Sequence, residues 1–113
     1  MTLDEYFATG PRHERLIFDA VMDYLEGVGP VYVEPVSVGI FLKNPRKFAE
    51  LRPLQRWTAL SFFLRRPASH RTITRKVVRY GERYFHVANV AEPADLDDDL
   101  RDLLTEAYDE AAS

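Results

Sequence analysis

Eight residues, Trp57 to Leu64 (Trp-Thr-Ala-Leu-Ser-Phe-Phe-Leu), constrain the fold of this chain more than any other stretch. No other segment is so apolar, so rich in residues that suit a pleated surface and so free of Gly and Pro, and such a run predicts a central β-strand. If Leu60, Phe62 and Leu64 point at a core, the strand's period of two turns Trp57 and Phe63 the other way. Large rings do not usually face water in pairs, so this second face invites a partner.

The flanking chain supplies the rest of the sheet and two helices. Thr9-Gly10-Pro11 places a cap and then Pro where its missing N–H costs nothing, and predicts a helix from Pro11 to Val28. Its apolar stripe is Ile17, Val21, Tyr24, Leu25 and Val28, with Glu14, Asp19, Asp23 and Glu26 left for water. Val31 to Val36 has strand composition, but Pro35 cannot donate a ladder hydrogen bond, so this piece belongs at an edge or carries a bulge. Val38 to Lys43 alternates, Asn44-Pro45 turns, and Lys47 to Arg52 reads as a short strand before the turn into Trp57. Arg71 to Tyr80 and Arg83 to Val90 flank Gly81-Glu82, a tight hairpin. The first of these is ambiguous in phase, which suggests a bulge near Val77. Leu96, Leu100, Leu103, Leu104, Ala107 and Ala111 then mark a second helix, Asp95 to Ala111, with Asp95, Asp97, Asp98 and Asp99 crowding its favoured N-terminal end.

Both helical stripes are satisfied if the helices lie side by side on one face of the sheet. The expected fold is therefore α+β: an antiparallel sheet of five or six strands with the N-terminal and C-terminal helices packed on one face. The expected shared core is Leu60, Phe62, Phe85, Val87, Leu100 and Leu104. The opposite phase puts Trp57, Phe63, Tyr84 and His86 on the open face, near Phe41, Lys43, Arg65, Arg75 and Arg79. At 113 residues one domain, 1–113, is the default, with roughly two-thirds of the unfolded surface available for burial.

Charge is segregated along the chain. Residues 1–42 carry a net −5, residues 43–83 a net +10 and residues 84–113 a net −8, within an overall −3. The central segment is therefore either a basic contact face or a set of basic strands neutralised by the protein's own acidic helices. The absence of Cys excludes disulfides, thiolate metal sites and cysteine nucleophiles, and suits a reducing cytoplasm. No apolar run approaches the length of a membrane span, and the charged start lacks the apolar region of a signal peptide, so a cytoplasmic protein without membrane contact is expected.

Nothing in the chain specifies a reaction. Asp95, Asp98, Asp99 and Asp102 share one side of the last helix, but no His stands beside them and a solvated acidic face accounts for them, so no metal and no cofactor is expected. His13, His70 and His86 lie in no catalytic signature, and the neighbours Ser69 and His70 would seldom point at each other. The stronger reading is a non-catalytic binding or accessory module. Its contact residues would be Trp57, Phe63, Arg65, Arg75, Arg79, Tyr84 and His86, and its ligand a nucleic acid or other anion, or a protein partner such as a second copy of the chain. The alternative is a small enzyme or ligand-binding domain using His86 and Tyr84.

Several short motifs add a resemblance. Glu5-Tyr6-Phe7, Gly29-Pro30, Phe48-Ala49-Glu50-Leu51-Arg52-Pro53, His86-Val87 and Asp95-Leu96 through Ala107-Tyr108 resemble, in that order and over nearly the whole chain, a small bacterial domain family of unknown function, number five-six-five-five. The resemblance implies a helix, sheet, helix unit able to stand alone or be fused to larger domains, and it implies no reaction and no catalytic residues. The order of elements is also similar to the frataxin-like sandwich, a likeness of fold alone.

Overall fold

In the computed structural model, which describes residues 1–8 and 10–112, the chain begins with a helix that hydrophobic patterning does not announce. The Thr2 hydroxyl accepts the Glu5 N–H while the Glu5 carboxylate accepts the Thr2 N–H, a capping box that starts α1 (Leu3–Phe7). Helix α2 (Arg12–Glu26) follows with Pro11 as its N-cap, one residue later than expected, and Gly27 closes it with its N–H on the carbonyls of Tyr24 and Leu25. The expected cap at Thr9 lies outside the described residues.

One member of the polar side of α2 is not in water. Glu14 is fully buried, with the Tyr6 hydroxyl of α1 donating to its Oε2 and no partner on Oε1. Burial raises the Glu14 carboxyl above its ordinary pKa, against the hydrogen bond from Tyr6, and burial likewise raises Tyr6. A carboxyl raised on folding opposes stability increasingly as pH climbs from its unfolded pKa through its folded one. Glu14→Gln is therefore expected to gain stability relative to the wild type between pH 4 and pH 7, measured by urea denaturation; a difference constant with pH would show that Glu14 is not held in this way.

Six strands form one antiparallel sheet: β1 (Tyr32–Val36), β2 (Gly39–Lys43), β3 (Lys47–Pro53), β4 (Thr58–Leu64), β5 (Val78–Tyr80) and β6 (Arg83–Val90), in the order β1-β2-β3-β4-β6-β5. The expected central strand is central, and the Pro35 strand is an edge. Gly81 turns the β5–β6 hairpin with φ of 62°, a conformation that costs a glycine little. Helix α3 (Asp98–Ala111) follows a 3₁₀ turn at Pro93–Asp95. Asp95, expected to open the helix, instead accepts the N–H groups of Ala91 and Glu92, and the cap passes to Asp97, which accepts from Leu100.

Both long helices pack on one face. Ile17, Val21 and Leu25 of α2 and Leu100, Leu104 and Ala107 of α3 share a buried cluster with Ile40, Leu42, Ala49, Leu51, Leu60, Phe62, Leu64, Ala88 and Val90 of the sheet. These sheet residues sit opposite one another in register, Ile40 to Leu51, Leu51 to Leu60 and Leu60 to Ala88, so they belong to one face. The expected phase is correct for β4. It is reversed for β6: Phe63 pairs with Phe85 and Ser61 with Val87, which puts Phe85 and Val87 on the far face, while His86, paired with Phe62, turns inward.

The run from Arg71 to Tyr80 is not a strand with a bulge. Only Val78–Tyr80 pairs, and the segment before it runs beside β6, its Thr72 carbonyl accepting the Asn89 N–H. His70 fastens this segment to α3. Its Nδ1 accepts the Thr72 N–H at 3.2 Å, so Nε2 carries the proton and donates to Asp97 Oδ1 at 2.8 Å.

Candidate functional site

Where β4 ends and the β5–β6 hairpin turns, three arginines converge from different elements. Arg46 comes from the β2–β3 turn, Arg65 follows β4 and Arg83 begins β6; with Phe63, Tyr80, Gly81 and Glu82, and with Ala107, Glu110 and Ala111 of α3, they line a cleft of ≈ 330 Å³. The Arg83 guanidinium lies 4.0 Å above the Phe63 ring and donates to the Lys47 carbonyl at 3.2 Å. Burial, and then the charge of Arg46, lowers the Arg83 pKa from its ordinary value. Neither Arg46 nor Arg83 has a carboxylate within 4.0 Å among the described residues. Glu110, on the same wall, accepts the backbone N–H of Arg65 at 2.9 Å and thereby ties the end of α3 to the end of β4.

A second cleft, ≈ 140 Å³, opens on the helix-free face. It is lined by Arg52, Arg75, Glu50, Leu54, Ala59, Ser61, Phe85 and Val87. Arg52 and Arg75 are exposed, and Glu50, the carboxylate among these lining residues, faces the Lys47 ammonium at 3.4 Å. The two clefts share an aromatic wall. Phe63 lines the first and Phe85 the second, their ring centres 5.1 Å apart, and Tyr80 stands edge-on to Phe85 at 6.1 Å.

Of the residues singled out in the sequence, Phe63 and Arg65 meet in the first cleft and Arg75 lines the second. Trp57 does not join them: it is half-buried beside the β3–β4 turn, in a separate hollow with Leu54, Gln55 and Arg56. Arg79 and Tyr84 are register partners in the opposite phase, turned toward the helix side of the hairpin with the guanidinium 5.7 Å from the Tyr84 ring. His86 is fully buried and stacked on Phe62 at 5.1 Å. The Ala68 N–H donates to its Nε2 at 2.9 Å, so the proton sits on Nδ1 and donates to the Tyr84 carbonyl at 3.0 Å. Both nitrogens are thus committed to the backbone, and burial lowers the imidazole's pKa. The expected open-face pair of Tyr84 and His86 does not exist.

Arg46, Arg52, Tyr80 and Arg83 are not marked out by the sequence. For Arg83 a signal is present, because it shares the phase of Phe85; Arg46, in a turn, obeys no strand period. Part of the +10 segment is neutralised within the protein. Arg66 makes a two-point contact with Glu106, at 2.9 and 2.8 Å, and Arg71 reaches Asp95 at 3.0 Å, so part of the positive charge is neutralised by α3 and the turn before it. Arg46, Arg52, Arg75 and Arg83 remain outside those ion pairs.

Fold and site together define an α+β domain in which two helices cover one face of a six-stranded antiparallel sheet and arginines and aromatic rings gather on the other. The chain belongs to the DUF5655 family, domains of unknown function, whose model matches residues 3–111. No curated protein and no solved structure matches it. Among the described residues, no helix is long and apolar enough to cross a membrane.

Proposed function

We propose that the protein is a non-catalytic binding module of the bacterial cytoplasm that takes an anionic ligand in the cleft of Arg46, Arg65 and Arg83. The observation that carries this reading is the approach of Arg83 to Arg46 in a partly desolvated cleft, with no carboxylate among the described residues bridging the two. Like charges brought together out of water repel, and an anion between them relieves the repulsion while accepting charge-assisted hydrogen bonds from two planar forks.

Inorganic phosphate titrated into isotopically labelled protein should shift the NMR signals of Arg46 and Arg83 and should lose its effect in high salt. Arg46→Glu, at an exposed position, and Arg83→Glu are each expected to weaken binding about tenfold or more, roughly 1.4 kcal/mol. Phosphate that leaves both arginines unperturbed would end this reading.

Association with a protein partner or a second copy of the chain is a second reading, favoured by one observation. Val78 and Tyr80 are exposed on β5, the edge of the sheet, where unpaired backbone groups can accept another strand. A protein whose sedimentation is that of a monomer at every concentration would remove the second copy as the occupant.

A further inference from the structure

One basic cleft lies at the end of the sheet against α3 and another on the helix-free face, and their arrangement narrows the ligand. The first cleft carries Arg46, Arg65 and Arg83 against Glu82 and Glu110; the second carries Arg52 and Arg75 against Glu50, which faces Lys47. Phe63 of the first and Ala59 of the second lie four residues apart on β4, about 13 Å at ~3.3 Å per residue. Between the two groups of guanidinium charges stands the Phe63–Phe85 pair, and Tyr80, which is 61% exposed, lines the first cleft edge-on to Phe85.

We infer that the ligand of the two clefts is single-stranded nucleic acid, its phosphates meeting Arg46 and Arg83 at one end and Arg52 and Arg75 at the other, its bases lying against these rings. The inference rests on the anion-binding reading of the first cleft and adds the second cleft and the aromatic wall to it. Charge complementarity selects a polyanion, because one phosphate cannot reach two clefts so far apart. The rings select among polyanions. A base has a π-face to stack on the exposed ring of Tyr80, whereas an acidic peptide or a polyphosphate has none, and the bases of a duplex are already stacked on one another. No base edge is read by this arrangement, so binding tolerates sequence.

The test is fluorescence anisotropy with labelled oligothymidylates of one, two, four and six nucleotides, alongside the phosphate titration. Affinity is expected to rise with length until both clefts are spanned. The double variant Arg52→Glu, Arg75→Glu changes two exposed side chains, and its fold is checked by thermal melting. It should weaken hexamer binding at least tenfold and flatten the salt dependence by about 0.7 in slope for each phosphate that is no longer neutralised, yet leave phosphate at Arg46 and Arg83 unchanged. Tyr80→Ala should weaken the hexamer at least fivefold with the slope unaltered. If the hexamer binds no tighter than the mononucleotide, if Arg52 and Arg75 prove indifferent, or if duplex of equal length competes equally, the inference is overturned while phosphate binding keeps the anion site. Failure of both phosphate and oligonucleotide to bind would remove both.

Discussion

Phe62→Ala is expected to lower the stability of the fold by about 3 to 5 kcal/mol, the usual loss when a large buried ring is truncated. The ring is fully buried in the central strand, opposite Ala49 on one side and stacked on His86 on the other. Little around it can collapse into the void, because Ala49 is paired on both sides and His86 is held by the Ala68 N–H and the Tyr84 carbonyl. Phe63→Ala, one residue on, should cost less than half as much, since that ring faces the open side and is half-buried. Urea denaturation of the two variants compares the faces directly; equal losses would mean that the assignment of phase is mistaken.

Replacement of His86 is expected to be nearly as damaging and, unlike that of Phe62, to depend on pH. His86→Leu keeps most of the volume but leaves the Ala68 N–H and the Tyr84 carbonyl without their partners, at a cost of about 2 to 4 kcal/mol. The wild-type imidazole is held neutral by burial, with its pKa below the ordinary histidine value. Its folded-state contribution is therefore complete above the unfolded pKa of about 6.5 and declines as pH falls through that value toward the lower folded one, because unfolding then takes up a proton. The leucine variant has no such proton to bind. The stability difference between wild type and variant should accordingly be largest at pH 7 to 8 and shrink on acidification toward pH 5, and a difference that is flat with pH would place His86 in contact with water.

The reversed phase of β6 shows where reading by pattern fails. In Arg83 to Val90 the aromatic Phe85 and the apolar Val87 outweigh Tyr84 and His86 on any hydropathy scale, and the reading that follows puts the histidine in solvent. The later half of the strand, with Ala88 and Val90 against Asn89, points the other way. What lets an imidazole be the buried choice is a backbone amide from Ala68, eighteen positions earlier, presented by a loop that packs against the strand. Glu14 is the same case in a helix: a polar residue on the apparent solvent side is buried because α1 folds back and offers the Tyr6 hydroxyl.

The sequence by itself determined the elements whose signals are local: the unbroken strand at Trp57 to Leu64, the edge strand marked by Pro35, the hairpin at Gly81, and the stripes that bring α2 and α3 onto one face of an antiparallel sheet. It also determined that the middle of the chain is basic and its ends acidic. Only the tertiary structure decided which of those charges pair. Arg66 and Arg71 meet the carboxylates of α3 and its preceding turn, whereas Arg46 and Arg83, from a turn and from the start of β6, come together in one cleft. Period and composition group the residues that share a side of an element, but do not tell which distant loop or turn comes to stand beside them, because that is set by strand order and by the path of the chain between strands.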